Sequence, residues 1–234
     1  MDKKKLIVFT GAGISKESGI DTFRDSDGMW ESHNVMDVAH IDGWKRDRGL
    51  VLDFYNDRRR KLVTVLPNKA HFDISGAEKF FDVTVITQNV DDLHERGGSK
   101  NIIHLHGELT KAKSSLTSSK YVKDLGYNDI VLGDKCPDGA QLRPDIVWFG
   151  EAVPTYRVAL SKLMEADYVL VVGTSLNVEP AASLIAYGLP TWYVDSNADE
   201  NLAKYWQPLE DVKTINKPAT EGVSVALKLI EEYG

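Results

Sequence analysis

The chain has 234 residues and a formal net charge of −7 at pH 7, with 42% hydrophobic and 27% charged residues. This length and apolar content are typical of a globular protein with a sizeable core and exclude an intrinsically disordered chain. The negative charge argues against binding driven by phosphate neutralisation, so no nucleic-acid partner is expected.

A short apolar run from Leu6 to Phe9 predicts a central parallel strand that is covered on both faces. Gly11 and Gly13 follow and would allow a sharp turn and the close approach of a ligand. Ser15 is predicted to begin a helix whose free N–H groups face a pyrophosphate. Because Lys16 replaces the third glycine of the dehydrogenase fingerprint, a generic nucleotide turn and a purely structural turn are equal alternatives at this point.

Four further apolar runs predict strands, and polar or glycine residues follow each of them: 83–87, 101–105, 168–172 and 191–194. Strands that alternate with helical stretches predict an α/β fold with a Rossmann-like, doubly wound parallel sheet, whose ligands lie beyond the carboxyl ends of the strands. Helical spacing of apolar residues predicts a closing helix over 221–233.

Two stretches interrupt this pattern. Residues 28–79 contain an amphipathic helix at about 50–66, and residues 110–144 are rich in Ser, Lys, Asp and Gly. We interpret both as insertions that form a second, smaller lobe of a single domain spanning residues 1–234.

Polar side chains follow the predicted strand 83–87. Gln88, Asn89 and Asp91 offer amide and carboxylate groups suited to ribose hydroxyls and a carboxamide. The alternative is an Asx-type turn in which Asp91 caps the next helix.

Two histidines lie at the end of the predicted strand 101–105: His104 within it and His106 directly after it. Leu105 between them is expected to face the opposite side. A neutral imidazole can remove a proton from a sugar hydroxyl, so a histidine here is a candidate general base. The alternative is that each histidine is a hydrogen-bonded structural residue.

A glycine and two hydroxyl residues, Gly173, Thr174 and Ser175, follow the strand 168–172 and suit a phosphate and a ribose. Glu179 and Pro180 predict the start of a helix. An ordinary strand-to-helix loop is the alternative.

Six short motifs occur in the order found in sirtuins and together cover almost the whole chain: GAGIS, GIDTFR, TQNVD, HLHG, LRPDIVWFGE and GTSLNVEPAA. The chain therefore resembles the sirtuin family. This resemblance implies an NAD-dependent protein-lysine deacylase with a Rossmann-like large domain and a small domain built from two insertions.

The resemblance also implies roles for individual positions. The catalytic residues would be His106, as general base, with Asn89 and Asp91. The NAD site would consist of Gly11, Ala12, Gly13, Ser15, Phe23, Arg24, Gln88, Asn89, Val90, Asp91, Gly173, Thr174, Ser175 and Asn197. The protein or peptide segment that carries the acylated lysine would bind as an added strand. The cleft for it would be lined by Val147, Phe149, Gly150, Glu151 and Val178.

In the implied reaction, the acyl oxygen of the modified lysine attacks the nicotinamide ribose and nicotinamide leaves. His106 then assists a ribose hydroxyl, and hydrolysis gives free lysine and O-acyl-ADP-ribose. We expect activity to fall as the pH drops through the histidine range near about 6.5.

The chain departs from most sirtuins in the second insertion, where two Cys-x-x-Cys pairs usually bind structural zinc. The corresponding residues include Ser114, Ser115, Ser118 and Ser119, and Cys136 is the single cysteine. Hydroxyls are poor substitutes for thiolate ligands, so no zinc is expected.

Tyr55 and Arg58 lie three residues apart on the predicted helix, and therefore on one face. An arginine fork with a tyrosine hydroxyl can hold a carboxylate. Taken alone, the run Arg58-Arg59-Arg60-Lys61 is typical of a solvated basic face. With the small residue Ala39, however, Tyr-x-x-Arg resembles the sirtuin branch that removes succinyl and malonyl groups, which implies these substrates as well as acetyl.

Two other functions remain open. The protein could transfer ADP-ribose to a side chain or hydrolyse NAD, or it could be a non-catalytic NAD sensor. The single cysteine, the short amino-terminal apolar run and the lack of a membrane-length segment lead us to expect a soluble, cytoplasmic protein with no membrane partner.

Overall fold

A computed structural model describes residues 3–20, 29–30, 33–179, 181–185, 189–205 and 212–233. The predicted NAD-site residues Phe23 and Arg24, and Pro180 of the predicted helix start, lie outside the described residues. The strands are β1 (Lys5–Thr10), β2 (Met29–Trp30), β3 (His33–Asn34), β4 (Asp82–Thr87), β5 (Ile102–His104), β6 (Gly107–Ser114), β7 (Val122–Asp124), β8 (Leu142–Ile146), β9 (Tyr168–Val172), β10 (Thr191–Asp195) and β11 (Val212–Asn216). The helices are α1 (Gly13–Lys16), α2 (Val35–Val38), α3 (Ile41–Arg46), α4 (Arg48–Leu62), α5 (Lys69–Ala77), α6 (Leu93–Arg96), α7 (Tyr156–Met164), α8 (Ala198–Tyr205) and α9 (Ala219–Tyr233).

The large sheet of the described chain is parallel and runs in the order β11-β10-β9-β1-β4-β5. β1 lies in the middle, with β4 and β5 on one side and β9, β10 and β11 on the other. This is the strand order of doubly wound nucleotide-binding folds. The order reverses between β1 and β9, and ligands of such sheets bind at that point. The predicted fold class is confirmed.

Side chains of β1 alternate between two apolar layers. Leu6 and Val8 join the layer under α5 and α9, whereas Ile7 and Phe9 join the layer that contains Ala159 of α7. Because both faces of β1 are covered, the run from Leu6 to Phe9 is continuously apolar.

The five predicted strands are all present. The strands of the smaller sheets, β2, β3, β6, β7 and β8, were not predicted, and β11 of the large sheet was also missed. Its sequence, VKTIN, mixes polar and apolar residues and has a single buried position, Ile215. β11 pairs on one side only, with β10, so it is an edge strand and does not need the apolar run that revealed the inner strands.

A smaller lobe contains the antiparallel sheet β7-β6-β8, the short β2-β3 pair and helices α2 to α4, around an apolar cluster of its own. Helix α4 begins where the Asp47 side chain accepts from the Leu50 N–H at 2.9 Å, two residues before the predicted start, and it ends at Leu62 rather than 66. Helix α5 differs from the rest of segment 28–79, because Ala70 and Ile74 belong to the core of the large sheet.

The closing helix α9 begins two residues before its predicted start. Thr220 donates from its backbone N–H to Glu17 at 3.0 Å, so a carboxylate between the first two motifs of the chain caps this helix. None of the helices in the described residues has the length and apolarity that a membrane crossing requires.

Candidate active site

Two glycine loops meet where the strand order of the large sheet reverses. The Gly11 N–H donates to Val172 O at 3.0 Å, and the Gly13 N–H donates to Gly173 O at 2.8 Å. A Cβ on Gly13 would lie 2.6 Å from Gly173 Cα, and Gly173 itself has a φ of +62°. The sequence predicted glycine here for close approach of a ligand, and the structure adds that the two loops need it to pack against each other.

Ser15 lies inside the short helix α1 and does not cap it, so the predicted helix start is wrong. Its hydroxyl donates to Asp91 Oδ2 at 3.0 Å and accepts from Asn89 Nδ2 at 3.2 Å. Ser15 therefore joins the loop after β1 to the catalytic candidates after β4.

Asp91 is buried, and its second oxygen accepts from the Leu93 N–H at 3.1 Å. Burial raises the pKa of Asp91 to about 6, against the opposing effect of its bonds from Leu93 and Ser15. The carboxylate is therefore ionised at neutral pH, and its buried charge lowers the free energy of unfolding.

Gln88 connects the loop after β4 to the loop after β9. Its Nε2 donates to Thr174 Oγ1 at 3.1 Å, and this oxygen also accepts from the Leu176 N–H. The Thr174 carbonyl accepts from the Tyr193 hydroxyl at 2.7 Å. Leu176 is held at a φ of +59°, in the left-handed region that disfavours a non-glycine residue.

The remaining described residues of the predicted NAD site follow four strands of the sheet. Ala12 follows β1, Val90 follows β4, Ser175 follows β9 and Asn197 follows β10. Because these strands are parallel, their carboxyl ends share one edge, and the four residues lie along it.

His106 lies just beyond β5, and its Nδ1 is 3.0 Å from Gln88 O. A carbonyl only accepts, so Nδ1 carries the proton and the lone pair of the neutral ring is on Nε2. Burial lowers the pKa of His106 below 6.5, more than the bond to Gln88 raises it. The ring is thus a neutral base at physiological pH.

His104 makes the same kind of contact with the next main-chain carbonyl, since its Nδ1 lies 3.0 Å from Asn89 O. Its Nε2 lies 2.8 Å from Glu95 Oε1. Leu105 points into the core on the other side, as predicted. Glu95, His104 and Glu108 bring potential metal ligand atoms within 4.8 Å of one another. Glu95 is paired with His104, and Glu108 is paired with Lys111 at 2.6 Å, so the group is a network of ion pairs.

The predicted peptide-binding segment, Val147 to Glu151, connects the two lobes. The Val147 N–H donates to His106 O at 2.9 Å, and the Phe149 N–H donates to Ala39 O at 2.9 Å. The Glu151 carboxylate accepts two bonds from Arg143, at 2.7 and 2.8 Å, and one from the Trp148 N–H. Glu151 therefore holds the shape of this loop. Of the other predicted residues, Gly150 has a φ of +87° and Val178 follows β9.

The acyl-group candidates lie in the small lobe. Tyr55 is fully buried, and its hydroxyl accepts from Trp148 Nε1 at 3.0 Å. Arg58 is 7% exposed, and its guanidinium stacks 3.4 Å from the Phe54 ring centre and 4.2 Å from that of Trp30. The arginine run is therefore not a solvated face at Arg58.

A buried polar chain beneath the site was missed from sequence. Thr10 Oγ1 donates to Thr87 Oγ1 at 2.8 Å and lies 3.0 Å from His94 Nε2, and Thr87 Oγ1 accepts from the Asn89 N–H. Burial lowers the pKa of His94 well below 6.5, so its ring is neutral. The available signal was the hydroxyl residue that ends both β1 and β4.

In the second insertion, Cys136 is buried at a turn in which its N–H donates to Ala140 O at 2.8 Å and its carbonyl accepts from the Gly139 N–H at 2.9 Å. The neighbouring strand is connected to this turn, since the Ser115 N–H donates to Gln141 O at 3.1 Å. Backbone hydrogen bonds therefore shape this turn.

Comparisons with known proteins agree on one family. The family model described as Sir2 family matches residues 11–180. A relative from Helicobacter pylori named NAD-dependent protein deacylase is 48% identical, covering 97% of this chain and 98% of its own length. One of the same name from Bacteroides thetaiotaomicron is 46% identical, with the same coverage. A solved Sir2 homolog–NAD complex aligns with a TM-score of 0.83 at 34% identity, covering 99% of this chain and 91% of the other.

Proposed function

Because the chain belongs to the Sir2 family, we propose that it is an NAD-dependent protein-lysine deacylase that removes acyl groups from lysine side chains of proteins or peptides. The observation that carries the proposal is the meeting of both glycine loops with Ser15, Asn89 and Asp91 where the strand order reverses. Two relatives are named NAD-dependent protein deacylase, and a solved Sir2 homolog is a complex with NAD, which supports the proposal.

The residues present fit NAD. Two backbone loops at the reversal point of a doubly wound sheet suit the pyrophosphate, and Gln88, Asn89 and Asp91 supply the amide and carboxylate groups that ribose hydroxyls and a carboxamide require. When bound, NAD supplies a ribose that accepts the acyl group as its bond to nicotinamide breaks.

The side chains of the protein then have separate roles. His106 would take up a proton from a ribose hydroxyl at Nε2, because its Nδ1–H is already committed to Gln88 O. Asp91 is buried and ionised at neutral pH, so it would supply a preorganised negative charge to the positive charge that develops on a bound ribose. Ser15 holds Asp91 and Asn89 together.

The paired lobes form one domain, and the proposed peptide-binding segment lies between them. We assign residues 1–234 to one catalytic domain, with the small lobe drawn from insertions at about 28–79 and 110–144, apart from helix α5, which packs on the large sheet. The acylated peptide adds as a strand beside residues 147–151, where main-chain hydrogen bonds require little of the peptide sequence. Glu151, held by Arg143, keeps this segment in shape.

The small lobe is proposed to accept acidic acyl groups, succinyl and malonyl, as well as acetyl. Arg58 is buried against aromatic rings, where an arginine that pairs with a carboxylate gains more than it would in water. Tyr55 shares the Trp30 contact with Arg58 and reaches Trp148 of the peptide-binding segment. Ala39, at the end of α2, is a small side chain that leaves room for the acyl chain.

Replacing Arg58 with Met should test this preference. R58M keeps the apolar stem and removes the fork, so we expect kcat/KM for succinyl-lysine to fall roughly a hundredfold and that for acetyl-lysine to change only a few-fold. R60M is the matched control, because Arg60 lies on the same helix but is exposed and pairs with Asp57 and Asp129. Equal losses on both substrates in R58M would refute the carboxylate clamp.

We further propose that the protein holds no structural zinc, acts in the cytoplasm, and binds neither nucleic acid nor membrane. The support is the single cysteine, the poor ligand quality of the four serines in the second insertion, and the net charge of −7.

One assay tests the proposed function. The protein is incubated with NAD and acetyl-, malonyl-, succinyl- and longer acyl-lysine peptides, and peptide and nucleotide products are measured by mass spectrometry. We expect free lysine peptide, nicotinamide and O-acyl-ADP-ribose in equal amounts. Protein-bound or free ADP-ribose without peptide deacylation would favour ADP-ribosyl transfer or NAD hydrolysis, and NAD binding without nicotinamide release would favour a sensor.

A further inference from the structure

The environment of His104 determines its charge. Nδ1 lies 3.0 Å from Asn89 O and Nε2 lies 2.8 Å from Glu95 Oε1, and the side chain is only 7% exposed. A carbonyl and a carboxylate both accept, so both ring nitrogens must donate. His104 is therefore an imidazolium buried between two acceptors.

The surrounding charges agree with this assignment. Burial lowers the pKa of His104, but the hydrogen bond and charge of Glu95 outweigh burial, with further help from Asn89 O and Glu108, so the net pKa is raised. Within the described chain, the other charged or titratable groups that interact electrostatically with the pair are Asp91 and His94, with His104, and Lys111, with Glu95. His106 has no such carboxylate partner among the described residues, and its pKa is lowered.

Asn89 is held at three of its four polar groups. Its N–H donates to Thr87 Oγ1 at 3.0 Å, its Nδ2 donates to Ser15 Oγ at 3.2 Å, and its carbonyl accepts from His104. Of these three partners, only His104 is charged, and charge-assisted hydrogen bonds are the stronger kind.

We propose that the Glu95–His104 pair is a positioning unit, which fixes the main chain of Asn89 and so aims its side-chain amide at the reacting ribose. The proposal rests on the proposed function, in which Asn89 contacts that ribose. His104 does not touch substrate and acts through Asn89. The two histidines of one motif thus have different roles, since His106 is the neutral base and His104 is a cationic clamp.

A matched pair of variants separates the two contacts of the ring. The amide nitrogen of asparagine can stand where Nδ1 lies, whereas that of glutamine can stand where Nε2 lies. H104N should keep the bond to Asn89 O, and H104Q should keep the contact with Glu95. We expect kcat to fall about ten- to a hundredfold in H104Q and to recover most of that loss in H104N, with KM for the acyl peptide unchanged in both.

A structural role predicts a different pattern. If the ion pair only stabilised the fold, H104Q would lose less activity than H104N. In both variants, the loss of activity would then parallel a decrease in the midpoint of thermal unfolding. Equal activity of H104Q and wild type would also overturn the proposal. In an N89A background we expect H104Q to cause no further loss, because both changes remove one function, and additive losses would contradict this.

The pH profile gives an independent readout. Loss of the ring proton leaves either Asn89 O or Glu95 without its donor, so wild-type activity should fall at alkaline pH. In E95Q, the new amide can donate to Nε2, and the neutral Nδ1–H ring satisfies every partner. We expect this alkaline loss to disappear in E95Q, and its persistence there would argue against His104 as the titrating group.

Failure of the positioning unit can be told from failure of the proposed function. Wild-type turnover on the acyl-peptide panel tests the function alone. NAD affinity, measured by calorimetry on wild type, H104N and H104Q, tests the clamp without turnover. We expect weaker binding in H104Q than in H104N, and the reverse order would overturn the proposal even in an inactive protein.

Discussion

His104 and His106 lie two residues apart, yet their pKa values shift in opposite directions. The rings make the same contact, Nδ1 to a main-chain carbonyl, at Asn89 and Gln88 respectively. The difference is the Glu95 carboxylate, which contacts the His104 ring. The Glu95 carboxylate therefore favours the cationic form of His104, whereas burial without such a partner favours the neutral form of His106.

His106→Ala should reduce kcat by roughly a hundredfold or more, because a positioned general base contributes on that scale. In wild type, activity requires the neutral ring, so it is present above the His106 pKa and is lost as the pH falls through it. Since burial lowers this pKa, the loss should occur below 6.5 and not at it. Steady-state kinetics over a range of about pH 5 to 8, which brackets ordinary histidine titration, measure this.

NAD affinity by calorimetry is the control for His106→Ala and should change little. Unchanged turnover in His106→Ala would contradict the assignment of the base.

Asp91 should make the protein less stable at neutral pH than an amide in its place. Its folded-state pKa of about 6 lies above the ordinary value of 3.8, so the folded state takes up a proton first as the pH falls. The penalty for burying the charge is therefore complete above about pH 6 and disappears toward the unfolded pKa.

We expect Asp91→Asn to raise the free energy of unfolding at about pH 8 by an amount of the order of 2–3 kcal/mol, and to leave it nearly unchanged at about pH 4. Urea denaturation at both pH values measures the difference, and activity should fall in the same variant. Equal effects on stability at the two pH values would show that burial of the charge is not the cause.

The hydrogen bonds of Ser15 to Asn89 and Asp91 could not be predicted from the sequence. The TQNVD motif indicated Asn89 and Asp91, but it gave no sign that Ser15 would bond to both. Ser15 lies 74 and 76 residues away along the chain, and hydrogen bonds over that separation arise only from the fold.

Helix α4 shows how burial of polar groups fixes the small lobe. The Asn56 side chain donates to Ile130 O at 2.9 Å and accepts from the Ile130 N–H at 3.0 Å. Arg59 is fully buried, and its Nε donates to Leu109 O at 2.6 Å. Burial lowers the pKa of Arg59 to about 10. One face of α4 therefore binds the main chain of both neighbouring segments.

Asn56→Ala should destabilise the protein by about 2–4 kcal/mol, because it leaves the main-chain groups of Ile130 without partners in a buried site. Asp57→Ala is the matched control on the next residue, whose side chain is 69% exposed, and it should change stability by less than about 0.5 kcal/mol. Denaturant unfolding measures both. A small effect of Asn56→Ala would mean that this contact does not hold the lobe.

Element boundaries followed from sequence where the pattern was strong. The strand at Tyr168–Val172 was predicted with the observed limits, because five buried residues in a row leave little choice. The edge strand β11 lacked that pattern, and the start of α4 depended on Asp47, a cap whose bond to Leu50 is a matter of local geometry.

At the scale of the whole molecule, the small lobe is joined to the large one by specific hydrogen bonds. Val147 bonds to His106 O, and the Tyr127 hydroxyl donates to Asp92 Oδ2 at 2.5 Å. Arg96 Nη2 donates to Val65 O at 2.6 Å. These bonds therefore fix the small lobe next to the loops that hold the candidate site residues.

The protein should need no metal for this arrangement. We expect no stoichiometric zinc in elemental analysis of purified protein, and a chelator should leave both the midpoint of thermal unfolding and the deacylase rate unchanged, because the chain has a single thiol. A bound zinc per chain, or unfolding in chelator, would contradict this.

The family, the parallel sheet and the candidate site loops follow from the sequence alone, because buried strands require continuous apolar runs and the motifs lie at strand ends. The opposite pKa shifts of the two histidines, the free-energy cost of burying the Asp91 charge, and the burial of Arg58 and Asn56 follow from the folded structure. Those properties depend on which groups meet across long separations in the chain and on how far each is removed from water.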